Sequence, residues 1–372
     1  MKKSPPNNKY EKIQPWAIIL LSLAAISGII LFIATTSAEF ASFFDKYICG
    51  TVRAVLAFLT NIIPFSLAEL LILFIPIAVA LLIIYAIKNR SFSLRAVISY
   101  FVSLLACASV IFTLFVFSFG VGYHVPSLYD RFDIPKNGVD ADSLRVTALK
   151  LATKTNQLAV QIDYAADGAS VMPYSLAEMN DKLIDTYKVI CKEYDFVQGF
   201  SSNVKPVLMS VPMSYTHTTG VYTFFTGEAN LNVDFPDYTL PYTTAHELAH
   251  QRGISRENEA NFIAFLVGIN TDDNYIQYSA YLNMFEYVAA ALYSADVDMY
   301  NQVYSMLSDE VKGEMAAYSR FYDKYRDSKA GEVSSAINNA YLVANGTVEG
   351  TKSYGLVVDL TVAYFEGKFD EK

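Results

Sequence analysis

Long apolar runs alternate with short polar stretches along the first 119 residues. Three of these runs have about the 20 residues that a helix needs to cross the hydrocarbon core of a bilayer. The pattern therefore predicts a polar tail over residues 1–14, then a membrane region over residues 15–119 with transmembrane helices near 16–35, 66–87 and 96–119. A lipid bilayer is the first predicted partner.

Two features of this region leave alternatives open. Thr36-Ser37-Ala38 resembles a signal-peptide cleavage site, but the apolar run before it is longer than a usual signal core, which favours a retained helix. Residues 54–65 are apolar, short and interrupted by Asn61 and Pro64. They are interpreted as an interfacial or re-entrant segment.

Beyond residue 120 the apolar positions follow shorter periods. Helical spacing predicts helices near 142–164, 175–194, 243–253, 256–269 and 274–294, with a helical remainder to about 365. Between 204 and 234, β-branched and aromatic runs separated by turn residues predict a small sheet. The segment 225–231 is predicted to be an edge strand beside a cleft, where it would pair with extended substrate, although an ordinary hairpin fits equally well.

Charge distinguishes the two regions and orients the chain. Residues 1–119 carry four of the 37 acidic and nine of the 28 basic residues, which leaves a net charge of −14 for residues 120–372. Four lysines lie in the tail, and Lys88, Arg90 and Arg95 lie between the second and third spans, so both segments are predicted to be cytoplasmic. Residues 120–372 would then be an extracytoplasmic domain of a multi-pass cell-membrane protein. Their acidity excludes nucleic acid as an expected partner.

Two of the four histidines, His246 and His250, stand four residues apart with Glu247 between them. On a helix this spacing places both imidazoles on one face, where they can share a zinc ion. Glu247 lies beside that face and can take a proton from zinc-bound water. This His-Glu-x-x-His pattern is typical of zinc hydrolases and predicts a Zn²⁺ cofactor.

The next helix offers two candidates for the third ligand, Glu257 and Glu259. Residues two apart lie about 200° apart around a helix, so only one can face the metal. Asn261 lies one turn beyond Glu257 and could hydrogen-bond a zinc-bound histidine, which favours Glu257. A short link after His250 could instead bring a later turn, and Glu259, opposite the metal.

Other polar residues are candidates by type only. His217, Tyr278 and Tyr281 could donate a hydrogen bond to a developing oxyanion, although a structural role is the more common one for such residues. The three cysteines, at positions 49, 107 and 191, form no spacing typical of a disulfide framework or a cysteine zinc cluster.

These residues carry a resemblance to known families. The chain resembles the bacterial membrane family called domain of unknown function 3810 in its three spans, in 220–230, in His246–Gly253 and in 257–262. The histidine motif is similar to that of gluzincin peptidases, and the resemblance implies a membrane-bound zinc metallopeptidase with a zincin-like domain. It also implies Glu257 as ligand, because related motifs often have alanine three residues beyond the ligand glutamate and aspartate or asparagine four residues beyond it, as Ala260 and Asn261 are here.

One feature departs from the gluzincin pattern. Only six residues separate His250 from Glu257, and Gly253 is similar to the tight turn of metzincins. Arg256, however, stands where a metzincin has its third histidine, which disfavours that class.

The leading hypothesis is an enzyme that hydrolyses peptide bonds in proteins or peptides of unknown identity. One alternative is a membrane sensor that signals through its spans, although no sizeable cytoplasmic domain is evident. Another is an envelope protein with a structural zinc, which would need a fourth protein ligand such as His124 or His217 brought in by the fold.

Overall fold

The computed structural model describes residues 12–88, 94–135, 138–346 and 356–369. Most of the predicted polar tail, and Arg90 in the loop between the second and third spans, lie outside the described residues. The described chain forms a group of long apolar helices followed by a mostly helical domain with a three-stranded sheet. The predicted small sheet and the helical character of the domain are confirmed.

The first region contains five α-helices and a π-helical turn over Asp45–Cys49. The helices are α1 (Pro15–Thr36), α2 (Ala38–Phe44), α3 (Gly50–Asn61), α4 (Leu67–Lys88) and α5 (Leu94–Ser118). Three of them, α1, α4 and α5, are long and apolar enough to cross a membrane, in agreement with the predicted spans. Residues 54–65, interpreted as interfacial or re-entrant, lie mostly in α3.

Helices α1 and α5 pack along each other through small residues. Ala17, Ser27 and Ala34 are buried on α1, and Ala106 and Ser109 are buried on α5. Small side chains let two helix backbones approach closely in the absence of water. From residue 70 onward, the described side chains of α4 are exposed, as expected for a helix that faces lipid.

The domain begins with a 3₁₀ turn over Gly120–His124. Its helices are α6 (Leu128–Arg131), α7 (Ala141–Ala159), α8 (Leu176–Glu193), α9 (Ser210–Ser214), α10 (Thr239–Gln251), α11 (Glu257–Ile269), α12 (Asn274–Ala295), α13 (Val297–Ser305), α14 (Asp309–Tyr322), α15 (Lys329–Ala344) and α16 (Val357–Phe365). Its core lies where α10, α11 and α12 pack together, with α7, α8 and α16 around them. Side-chain caps such as Ser175 and Asp273 fix where several of these helices begin.

The sheet contains β1 (Lys205–Pro206), β2 (Gly220–Thr223) and β3 (Glu228–Leu231) in the order β1-β3-β2. β3 pairs with β1 in parallel and with β2 antiparallel. The prediction of an edge strand at 225–231 is therefore wrong, because β3 has a neighbour on each side. The two edge strands are β1 and β2, and the hairpin turn folds β2 back outside β3.

Buried charged groups join the long helices to the sheet. The Glu228 carboxylate on β3 accepts the Leu67 and Ala68 N–H groups at 3.0 and 2.8 Å, and so caps the first turn of α4. Lys205 on β1 donates to the same carboxylate and to the Thr60 carbonyl oxygen. The domain thus lies at the end of the long helices where α4 begins.

Candidate metal centre

Helix α10 is buried on nearly all sides, between the sheet and helices α11 and α12. It presents His246 and His250 one turn apart, with ring centroids separated by 4.6 Å. Both side chains are largely shielded from solvent, at 12 and 6% exposure. The spacing of the two histidines therefore produces the shared face that the sequence predicts.

The turn after α10 orients His250. Gly253 has φ +100°, and a Cβ there would lie 2.7 Å from Nη2 of Arg53, so glycine meets both a conformational and a steric demand. The turn brings the Ile254 carbonyl oxygen to 2.6 Å from Nδ1 of His250. Nδ1–H donates to this carbonyl, which leaves Nε2 free to bind a metal.

Helix α11 supplies the third group at its first residue, Glu257. The preceding Arg256 fixes the start of the helix, because its guanidinium donates to the Tyr123 and Val125 carbonyl oxygens at 2.8 and 2.7 Å. Oε2 of Glu257 then lies 3.2 Å from Nε2 of His246 and 3.4 Å from Nε2 of His250. One ligand atom from each residue lies within 4.8 Å of the others.

These spacings fit a zinc ion. Tetrahedral ligands at 2.0 to 2.1 Å from zinc lie about 3.3 to 3.4 Å from one another, and the two distances to Glu257 are 3.2 and 3.4 Å. Charge-assisted hydrogen bonds are shorter, about 2.7 to 2.9 Å. Nδ1 of His246 is buried with no hydrogen-bond partner among the described residues, and the polar contact of this ring within the cluster is the one from Nε2 to Glu257.

The electrostatics of the three groups favour a bound cation. Burial alone would raise the pKa of Glu257, but the two histidines outweigh it and hold that pKa well below its usual range. Burial likewise opposes charge on His250, yet the Glu257 carboxylate raises the pKa of His250 to about 9. Without a metal, a proton bound to His250 therefore supplies the positive charge of this cluster.

Glu247 lies beside this cluster without joining it. Its carboxylate packs against β2, where a Cβ on Gly220 would approach its Oε1 to 2.6 Å, and the Tyr222 N–H donates to it. Burial raises the pKa of Glu247, although both histidines oppose the shift. A buried carboxylate with a raised pKa next to a metal site is suited to accept and return a proton.

The structure separates the other predicted residues. Glu259 faces away from the histidines, because its carboxylate accepts the Leu128 N–H at 3.0 Å and binds Arg256. Asn261 lies in the same cavity as the ligands, where its backbone oxygen accepts the Tyr242 hydroxyl at 3.0 Å. Its predicted bond to a histidine is absent among the described contacts.

Two of the three candidates for an oxyanion donor, Tyr278 and His217, have different surroundings. Tyr278 is fully buried, with its hydroxyl 3.4 Å from Glu314, and lies outside the set of described residues that line the cavity. His217 does line the cavity, but its Nε2–H donates to the Tyr325 carbonyl oxygen at 2.7 Å. Neither side chain presents a hydrogen to the cluster.

Two tyrosines missed by the sequence analysis lie closer to the ligands. Tyr287 on α12 and Tyr341 on α15 both line the cavity, and the charge of Glu257 raises the pKa of each hydroxyl further, in addition to the larger effect of burial. Tyr341 is also 3.3 Å from the Tyr123 hydroxyl. No sequence signal identifies them, since each lies far along the chain from the motif.

The three candidate ligands and Glu247 open into one cavity of about 1520 Å³. Its walls come from α10, α12, α15 and the edge strand β2, including Gly220, Val221 and Tyr222. The strand that borders the site is therefore β2. The sequence pattern instead predicts that residues 225–231 lie beside the cleft. This volume exceeds the roughly 300 to 1,000 Å³ that is usual for a small-molecule pocket.

Comparison with known protein families gives a match that covers most of the chain. The profile of a family described as "Protein of unknown function (DUF3810)" matches residues 44–362, a range that includes two of the three long helices, the sheet and the candidate ligands. No curated protein and no solved structure matches the chain.

Proposed function

The chain belongs to the DUF3810 family, and from the geometry of its histidine–glutamate cluster we propose that it is a membrane-anchored zinc-dependent peptidase. The observation that carries this proposal is the placement of three ligand atoms within 4.8 Å of one another, beside Glu247 and facing a large cavity. We further propose that residues 120–372 form a zincin-like domain, as the motif and its following glutamate helix imply.

His246, His250 and Glu257 would hold the metal. Zn²⁺ bound there would polarise a carbonyl oxygen and make bound water acidic enough to lose a proton near neutral pH. Glu247 accepts that proton and returns it to the leaving amine. Tyr287 or Tyr341 donates a hydrogen bond where negative charge develops on the carbonyl oxygen. β2 holds the substrate extended by backbone hydrogen bonds along its outer edge.

Two observations argue against a structural zinc. In the described part of the chain, no fourth histidine, cysteine, aspartate or glutamate contributes a ligand atom to the group, whereas structural sites have four protein ligands. His217, which could have supplied one, is bonded to the Tyr325 carbonyl oxygen. An open position facing the cavity favours hydrolysis over a structural role.

The proposal includes a location. The three apolar helices are consistent with a membrane protein, and the bases near the tail and the loop before α5 favour a cytoplasmic side for that end. The domain, at the opposite end of the helices, would be extracytoplasmic. A reporter fused after Lys372 should be active only outside the cytoplasm, and cytoplasmic activity would reverse this orientation.

The function is tested on the full chain in detergent. Wild-type protein, Glu247→Gln and Glu310→Gln, an exposed control on α14, are compared for zinc content and for cleavage of a peptide library. We expect zinc in all three and cleavage in the wild type and the control alone. An unchanged cleavage rate in Glu247→Gln would refute the role of Glu247.

A further inference from the structure

The cavity extends from the metal cluster along α10 toward the beginning of that helix. Thr239, Tyr242, Thr243 and His246 line it at intervals of three to four residues, and so form one face of the helix. Tyr238, just before α10, also lines it. Tyr238 and His246 are eight positions apart, which corresponds to about 12 Å along the helix axis.

At that far end the cavity contains a carboxylate outside the catalytic group. Glu286, on α12, lines the cavity, and its Oε1 lies 3.5 Å from the Tyr238 hydroxyl. Tyr318 also lines this end, with its ring centroid 6.0 Å from that of Tyr238. Tyr287, the next residue in the chain after Glu286, lies near Glu257, whose charge acts on its hydroxyl.

Glu286 differs from the buried glutamates Glu228 and Glu259 in having no basic partner among the described residues. Glu228 is paired with Lys205, and Glu259 with Arg256. In the described part of the chain, no lysine or arginine forms an ion pair with Glu286. Burial raises its pKa to about 7, the Tyr238 hydroxyl opposes this, and the charge of Glu314 adds to it. A bound cation would therefore stabilise the ionised carboxylate.

From this arrangement we propose that Glu286, at the end of the cavity that Tyr238 and Tyr318 also line, binds a positively charged nitrogen group of the peptide substrate. A carboxylate accepts strong hydrogen bonds from an ammonium or guanidinium group, and tyrosine faces attract the same cations. The inference rests on the proposed peptidase function and adds a substrate class to it.

The distance between the two ends limits where such a group can lie. An extended peptide rises about 3.3 Å per residue, so about 12 Å corresponds to three or four residues. The group is either the α-ammonium of a short N-terminal segment or the side chain of a lysine or arginine closer to the cleaved bond. Both share the chemistry that Glu286 recognises, and the experiment separates them.

Binding is measured without turnover, on zinc-loaded full chain carrying Glu247→Gln. Four fluorescent peptides of one sequence combine a free or acetylated N-terminus with lysine or norleucine at one position. We expect the preferred cationic peptide to bind at least tenfold more tightly than the neutral one. When Glu286→Gln is added to the same protein, this ratio should fall below threefold. Glu286→Asp, which keeps the charge, and Glu310→Gln should preserve a preference.

Each result has a distinct meaning. A preference that follows the free N-terminus identifies the α-ammonium, and one that follows lysine identifies a side chain. Equal binding of all four peptides, or a preference that survives Glu286→Gln, overturns the role of Glu286 while leaving peptide binding intact. If Glu286→Gln also abolishes binding of the neutral peptide, the outcome is decided with Glu286→Asp. Loss of the preference for the cationic peptide in Glu286→Asp then overturns the role of Glu286.

Failure of the underlying function has a different signature. Absence of binding to the Glu247→Gln protein together with absence of cleavage by the wild type, for every peptide and with zinc present in both proteins, would reject the peptidase proposal and the inference that rests on it. Cleavage that shows no preference for a cation would reject the inference alone.

Discussion

Replacing Glu257 by glutamine should weaken zinc binding far more than the same change at Glu259. The carboxylate of Glu257 lies 3.2 and 3.4 Å from the two histidine Nε2 atoms. The groups around His250 raise the pKa of this histidine from 6.5 to about 9, and Glu257 contributes most among those that favour its charge. This shift corresponds to about 3 kcal/mol in favour of positive charge on His250. Loss of that contribution should lower zinc affinity by about 100-fold or more.

The measurement is a zinc titration of the full chain against a chelating indicator. Glu259→Gln is the matched control, because it removes the same charge two residues away, where the carboxylate binds the Leu128 N–H. That change should cost about 1 to 3 kcal/mol in stability but alter zinc affinity by less than about threefold. Equal affinities for wild type and Glu257→Gln, or a larger loss in Glu259→Gln, would refute the ligand assignment.

Three further predictions concern the surroundings of the cluster. Gly253→Ala should lower the free energy of unfolding by about 1 to 3 kcal/mol, because φ is +100° and the new Cβ would meet Arg53. Thermal unfolding measures this effect, and an unchanged midpoint would contradict the prediction. Glu228→Gln should cost about 3 to 5 kcal/mol, because it leaves Lys205 buried without its countercharge, and exposed Glu366→Gln is the control. Metal-free protein should lose stability as pH rises from 6.5 through about 9, because the raised pKa of His250 contributes fully to the free energy of unfolding only below pH 6.5. Denaturation curves of zinc-loaded protein over the same pH range should lack this loss.

The parts that the sequence predicts are those set by local spacing. The three long helices follow from uninterrupted apolar runs, and the shared face of His246 and His250 follows from a separation of four residues on a helix. The angular argument that only one of Glu257 and Glu259 can face the cluster agrees with their opposite placement. These properties depend on a single helix at a time.

The sequence does not predict features that depend on how distant segments meet. The edge position of β2 depends on β1 and β2 flanking β3, which strand patterns alone leave undetermined. Tyr278 and Tyr287 both lie on α12, yet only Tyr287 lines the cavity, because the packing of that helix decides which face is exposed. The cap of α4 by Glu228 likewise joins residues about 160 positions apart.

The central claim is that this cluster binds zinc for hydrolysis. The most direct test combines metal analysis and peptide-library cleavage by the full chain, for wild type, Glu247→Gln and His246→Ala. We expect one zinc and cleavage in the wild type, zinc without cleavage in Glu247→Gln, and neither in His246→Ala. Loss of zinc in Glu247→Gln, or cleavage by His246→Ala without metal, would contradict the central claim.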